Sequence, residues 1–199
     1  MPKVSEEYRE ARRDEIAQAA IRCLERKGVR DTSIADIVEE SGLSTGAIYS
    51  HFTNKAELAR YIVARFLIVR IDALEASGLR GVVTPPRDVL TELLRTFTDG
   101  GMPASLVIQF WGEAMVDEAL HAEMMRTAGR LGSSLTTALT PWARVSLGPQ
   151  PGDEEVVDLA AETARTIATL VQGYVANTAV FGPRDVPEYV SSVVVALSD

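Results

Sequence analysis

The stretch 32–58, TSIADIVEESGLSTGAIYSHFTNKAEL, constrains the fold most, because it encodes two short helices joined across a glycine. Ile34, Ile37 and Val38 share one face of the first helix, while Asp36, Glu39 and Glu40 occupy the other. Thr32 or Ser33 caps it. Gly42 stands where reversal of the chain needs a positive backbone angle, and Leu43 follows as an apolar plug between the helices. Ser44 caps the second helix, predicted over 45–52, whose Ile48 and Phe52 point inward. This spacing is that of a helix-turn-helix.

The outward side of that second helix suits DNA. Ser44, Thr45, Gly46, Ala47, Tyr49, Ser50 and His51 offer hydroxyls, an aromatic ring and little bulk, so the helix end can enter a major groove. Asn54 and Glu57 form a cap-like pair for the next helix, whose first-turn Lys55 and backbone N–H groups suit a phosphate. Thr32 and Ser33 complete the candidate contact set as caps that also reach phosphate. The run Thr32, Ile37, Gly42, Leu43, Ser44, Gly46, Tyr49, His51, Phe52, Lys55 and Leu58 resembles the TetR family of bacterial transcriptional regulators. It covers about a quarter of the chain, with one departure at Val38, where the family usually has alanine against the partner helix. The resemblance implies an all-α protein: a three-helix DNA-binding head, and a larger helical body that binds an effector and forms a homodimer.

Net charge argues the other way until it is divided. The formal charge is −8, but residues 1–60 hold 10 Lys/Arg against 11 Asp/Glu, and the remainder holds 10 against 17. DNA binding by a near-neutral head would rest on placed contacts, Arg12, Arg13, Lys55 and helix ends, more than on a basic surface. Cys23 is the sole cysteine and lies on an apolar stripe, which leaves no disulfide framework, fits a reducing cytoplasm and gives no cysteine-rich metal site. Residues 1–15 are mostly charged and do not read as a signal peptide. The uncharged run 166–183 contains Gln172, Gly173 and Asn177 and reads as a buried helix, not a membrane span. With two histidines and neither G-x-S-x-G nor H-E-x-x-H, the chain does not read as an enzyme, and no cofactor or metal is expected.

Taken in order, about nine helices are expected, with a DNA-binding domain over 1–53 and an effector-binding and dimerisation domain over 54–199. Helix one covers 5–27, with Ile16, Ala19, Ala20, Cys23 and Leu24 on its apolar face and Arg9, Arg12, Arg13, Arg22 and Arg26 opposite. Helix four, over 54–77, has two apolar faces: Leu58, Tyr61, Ile62, Phe66, Val69 and Ala73 on one, Val63, Leu67, Ile71 and Leu74 on the other. Two faces make it the lever joining head to body. Residues 78–86 read as a loop, 87–99 as helix five, and 102–112 as an uncharged sixth helix. A seventh helix over 117–145 meets Pro141, which can bend or divide it. After the linker 147–153, an eighth helix over 153–181 carries a large stripe, from Val156 to Phe181, and a smaller one through Ala164, Ala168, Val171 and Val175. The smaller stripe, with Val190 and Val194 of a ninth helix over 186–197, is assigned to a four-helix dimer interface.

The expected protein is a homodimeric repressor on an inverted-repeat, double-stranded operator, with recognition helices about 34–36 Å apart. The resemblance implies release by a small molecule bound in the body. Phe97, Phe110, Trp111, Met115, Met124 and Tyr174 are candidate pocket walls, with Gln109, Glu113 and His121 as polar anchors; ordinary core and surface roles stand beside each. Aromatic crowding around Trp111 with an acid at Glu113 points to a hydrophobic or cationic effector. An activator, or a regulator that answers to a protein partner or to nothing, stays open. A solidly packed body would favour the effectorless alternative.

Overall fold

The computed structural model describes residues 6–98 and 101–193, excepting the side chains of Lys55, Ala56 and Ala64. Every regular element among them is helical. Helix α1 (Glu6–Asp31) runs to Gly28, whose φ of 84° and ψ of 164° break the helical path before a last turn. Helices α2 (Ile34–Ser41) and α3 (Thr45–His51) form the helix-turn-helix, with Gly42 between them at φ 67°. Such positive φ values favour glycine, which has no Cβ to clash with the backbone.

Helix α4 is continuous but not uniform: an α-helical segment Lys55–Val63, a π-helical turn Ala64–Ile68, and a second segment Val69–Leu79. The π turn explains why the first apolar stripe stops at Phe66. The wider turn rotates the second segment relative to the first, so Ile71 reaches the body core while Val69 and Ala73, expected inward, are exposed. Gly78, expected in the following loop, is buried inside this helix. There a Cβ would fall 2.4 Å from the Thr137 carbonyl oxygen, so only glycine lets the two backbones approach so closely.

The body adds α5 (Pro86–Leu94, extended by a 3-10 turn Arg95–Phe97), α6 (Ala104–Ala114), α7 (Glu118–Ser146), α8 (Asp153–Phe181) and α9 (Val186–Val193). Helices α7 and α8 pack as a hairpin, and α7 also lies along the second segment of α4. Pro141 does not divide α7. It lacks an N–H for the Thr137 carbonyl four residues earlier, and that freed carbonyl is the one facing Gly78. The body core gathers Ile71, Leu90, Leu94, Leu139, Ile167 and Tyr174.

The head core gathers Ile16, Ala20, Leu24, Ile37, Ile48 and Phe52, but it does not stop at residue 53. Leu58 and Ile62 of α4 belong to it, and so do Met102 and Leu106, with Leu106 wholly buried there. The uncharged segment of α6 is therefore a wall of the head as well as part of the body. Burial of Met102 and Leu106 is worth about 1.5–3 kcal/mol per side chain, enough to hold α6 against α1.

Candidate nucleic-acid interface

The helix-turn-helix is held by short polar contacts. The Ser33 Oγ accepts from the Asp36 amide at 3.2 Å, and the Asp36 carboxylate accepts from the Ser33 amide at 2.7 Å. This reciprocal cap satisfies the start of α2. Lys27 also donates to Asp36, and these hydrogen bonds, the one from Lys27 first, hold the carboxyl well below the usual carboxylate range. Ser44 caps α3 by accepting from the Ala47 amide at 3.2 Å. At the start of α4 the Asn54 side chain accepts from the Glu57 amide at 2.8 Å. The Glu57 carboxylate reaches back to Thr53, accepting from its amide and hydroxyl, both at 2.8 Å.

These caps leave a small, exposed face on α3. Ser33, Ser44, Thr45, Gly46, Tyr49 and Ser50 are exposed and Ala47 is half-buried, while Ile48 beneath is fully buried. Ser50 donates to the Ala47 carbonyl at 2.7 Å, which keeps its own lone pairs outward. Thr32 corrects the sequence expectation. It is 3% exposed and donates to the Gly28 carbonyl at 2.6 Å, so its side chain pins the turn before α2 and is not on the outer face. The Lys55 side chain lies outside the described residues.

His51 is half-buried beside the N-terminal arginines of α1. Its Nδ1 is buried without a hydrogen-bond partner. Burial first, then the charges of Arg9, Arg13 and Arg12, push its pKa below the usual histidine value. Arg13 lies over the rings of Phe52 and Tyr61, 4.6 and 4.8 Å from their centroids, and pairs with Glu57 at 3.4 Å. Arg12 pairs with Glu15, and Arg22 and Arg26 both pair with Glu40. Most of the arginine face of α1 is thus spent on ordering the head. Sequence reasoning missed the cluster in which Asp14 accepts from the Tyr61 hydroxyl at 2.7 Å and from Arg65 at 3.0 Å. No local spacing signals a contact between residues 47 and 51 positions apart.

The candidate effector residues do not converge. Gln109 accepts from the Val29 amide at 2.8 Å, and Phe110 packs on the head core; both face the head and not a body pocket. Tyr174 is buried in the body core, its hydroxyl donating to the Arg184 carbonyl at 2.8 Å. Met115 and His121 are exposed. Phe97 bridges the two cores, and Trp111, Glu113 and Met124 are half-buried. A void of about 10 Å³ lies in the head core, lined by Leu24, Ile37, Leu58, Ala59, Ile62 and Phe110. That is near the lower limit for one water molecule.

The stripe assigned to a dimer divides as well. Ala164, Val175 and Val190 are buried in the protomer's own core, because the buried face of α8 is wide enough to take in the edge of the small stripe. Ala168 and Val171 remain half-buried at its margin, and Val194 lies outside the described residues. Phe181, placed on the inward stripe by spacing, is 82% exposed at the end of α8. Among the described residues no helix is long and apolar enough to cross a membrane.

Residues 16–62 match the family model described as bacterial regulatory proteins, tetR family. Over 102 residues the chain is 35% identical to the uncharacterized HTH-type transcriptional regulator YfiR of Bacillus subtilis, covering 49% of this chain and 50% of that protein. Over 99 residues it is 41% identical to the HTH-type transcriptional regulator TtgR of Pseudomonas putida, covering 50% and 47%. These matches span about half the length of each relative. The fold extends further: a transcriptional regulator from Aquifex aeolicus superposes with a TM-score of 0.69 at 17% identity, covering 94% of this chain and 97% of that one. The SmeT–triclosan complex superposes with a TM-score of 0.63 at 23% identity, covering 95% and 93%.

Proposed function

Because the chain belongs to the TetR family of bacterial regulatory proteins, we propose that it is a homodimeric transcriptional repressor that reads an inverted-repeat operator in double-stranded DNA through α3. One observation carries this reading: α3 combines a fully buried Ile48 with an exposed face of Ser44, Thr45, Gly46 and Tyr49, its start capped by the Ser44 side chain. A helix end of that shape fits a major groove, with hydroxyls for phosphates and a ring for thymine methyls. Thr32 drops out of the contact set, and His51 stays in it as a half-buried residue at the end of α3.

Release by a hydrophobic or cationic small molecule remains the effector reading, supported by the likeness to SmeT in its complex with triclosan. In this chain it would use Trp111, Glu113 and Met124, the candidates that are half-buried and outside both cores. Such a ligand must bind the DNA-competent and incompetent forms with different affinity. A regulator with no small effector is the second reading, favoured by the continuity of the body core.

The test is fluorescence anisotropy of the purified protein with duplex DNA flanking its own coding region, across a salt series and with a panel of compounds. The expected result is selective binding that weakens steeply with salt, and about a tenfold or greater loss in Tyr49→Ala with dimer stability kept. Undiminished binding by Tyr49→Ala would remove the contact assignment. Selective binding that no apolar or cationic compound releases would favour the second reading.

A further inference from the structure

Two of the connections between head and body run through whole helices. One is covalent, through α4, but its π turn falls at Ala64–Ile68, between the head residue Ile62 and the body residue Ile71. A π turn closes wider hydrogen-bonded rings than the α-helical turns around it. The other connection is α6, which packs on α1 and carries a directed contact: Gln109 Oε1 accepts from the Val29 amide at 2.8 Å.

That contact falls where α1 breaks. Gly28 adopts φ 84° and ψ 164°, a region open to glycine alone, and a Cβ there would lie 3.1 Å from Gln109 Oε1. Immediately beyond, Thr32 donates to the Gly28 carbonyl, and Ser33 begins the cap of α2. A chain of short contacts therefore runs from the side chain of Gln109 through Gly28 and Val29 to the first residue of the helix-turn-helix. We propose that Gln109 is a positioning residue for DNA recognition: it fixes the tilt of α2 and α3 on the body, and through it the separation of the two recognition helices in a dimer. The proposal rests on the reading of α3 as the DNA-contacting helix.

The physical consequence is a population effect. With the acceptor in place the head is held in one orientation before DNA arrives. Without it, that orientation is one of several, and apparent affinity falls by the fraction of molecules that occupy it. Gln109 lies against Gly28 and Val29 at the end of α1 and not on α3, so its effect on binding is indirect.

The experiment compares full-length wild type, Gln109→Leu, which removes the acceptor at similar volume, and Gln109→Glu, which keeps an Oε acceptor. Amide hydrogen exchange at Val29 and across α2 and α3 is read beside anisotropy on the same duplex. Gln109→Leu should exchange faster at Val29 and α2 and bind DNA about tenfold more weakly, with its unfolding midpoint near wild type, while Gln109→Glu stays within about threefold of wild type. Unchanged exchange at Val29, unchanged DNA affinity in Gln109→Leu, or equal losses in both variants would overturn the proposal. Should Gln109→Leu not accumulate as folded protein, Gln109→Met carries the same comparison. If wild type binds no duplex selectively, the DNA reading itself falls, and the exchange rates in α2 still decide whether Gln109 holds the head.

Discussion

Replacing Gly78 by alanine separates two opposed expectations. From helix propensity alone, alanine for glycine at a position inside a helix should stabilise by about 1 kcal/mol. In the structure a Cβ on Gly78 would sit 2.4 Å from the Thr137 carbonyl oxygen, 2.6 Å from the Ala138 Cα and 2.9 Å from the Thr137 carbonyl carbon. All three are backbone atoms, so no rotamer change relieves the clash, and α4 and α7 must part by about 1 Å to restore normal contact. Ile71, Leu135 and Leu139 are buried in the core around this crossing. A buried residue of this size makes about 40–60 contacts of ~0.1–0.2 kcal/mol each, and a gap of this size forfeits about a third of the depth of each contact across it. If roughly a third of their contacts cross the interface, the three residues together lose about 2–3 kcal/mol. Subtracting the helix-propensity gain leaves Gly78→Ala less stable by about 1–2 kcal/mol. Urea unfolding followed by circular dichroism, at one fixed protein concentration, measures this directly. Gly129→Ala and Gly132→Ala in α7, where an added Cβ meets nothing within 4 Å, are the controls and should stabilise by up to about 1 kcal/mol. A Gly78→Ala protein as stable as wild type, or more so, would refute the close-approach argument.

Three further outcomes are expected of the site and the interface. Ser33→Ala should cost about 1 kcal/mol in unfolding free energy by removing the cap of α2; the Asp36 carboxyl it supports has a depressed pKa when folded, so its contribution is present above the unfolded carboxyl range and is lost as pH falls from that range through the lower folded value. His51 is also depressed when folded, so the unfolded chain takes up a proton first and stability declines as pH drops below about 6.5; His51→Gln should flatten that part of the thermal-unfolding profile. For the dimer, Ala168→Glu should lower the dimer fraction in sedimentation while the protomer stays folded, whereas Val175→Glu, at a position 1% exposed, should unfold the protomer. A fully dimeric Ala168→Glu protein would move the interface elsewhere.

The head was legible because its determinants are local. Ser33, offered with Thr32 as the cap of α2, Gly42, Ser44 and the inward pair Ile48 and Phe52 lie within a few residues of the groups they cap or pack on, and the structure finds them in those roles. The helix order of the body was legible from apolar periodicity and from the Gly/Pro-rich linkers. The candidate pocket was not. Gln109 and Phe110 lie in a segment that reads as apolar whichever neighbour it meets, and its neighbour proved to be α1.

Sequence alone determined the elements, their caps and the exposed face of α3, since backbone conformation, capping and amphipathic spacing act over about one helical turn. Tertiary structure decided the partners: that α6 closes the head core, that Ala164 and Val175 belong to the protomer, that Gly78 meets a carbonyl freed by Pro141, and that Gln109 holds Val29 across 80 residues of chain. Periodicity states which face of a helix avoids water. It carries no information about which other face will cover it, because burial of apolar surface is non-directional and only packing of the whole chain selects one arrangement.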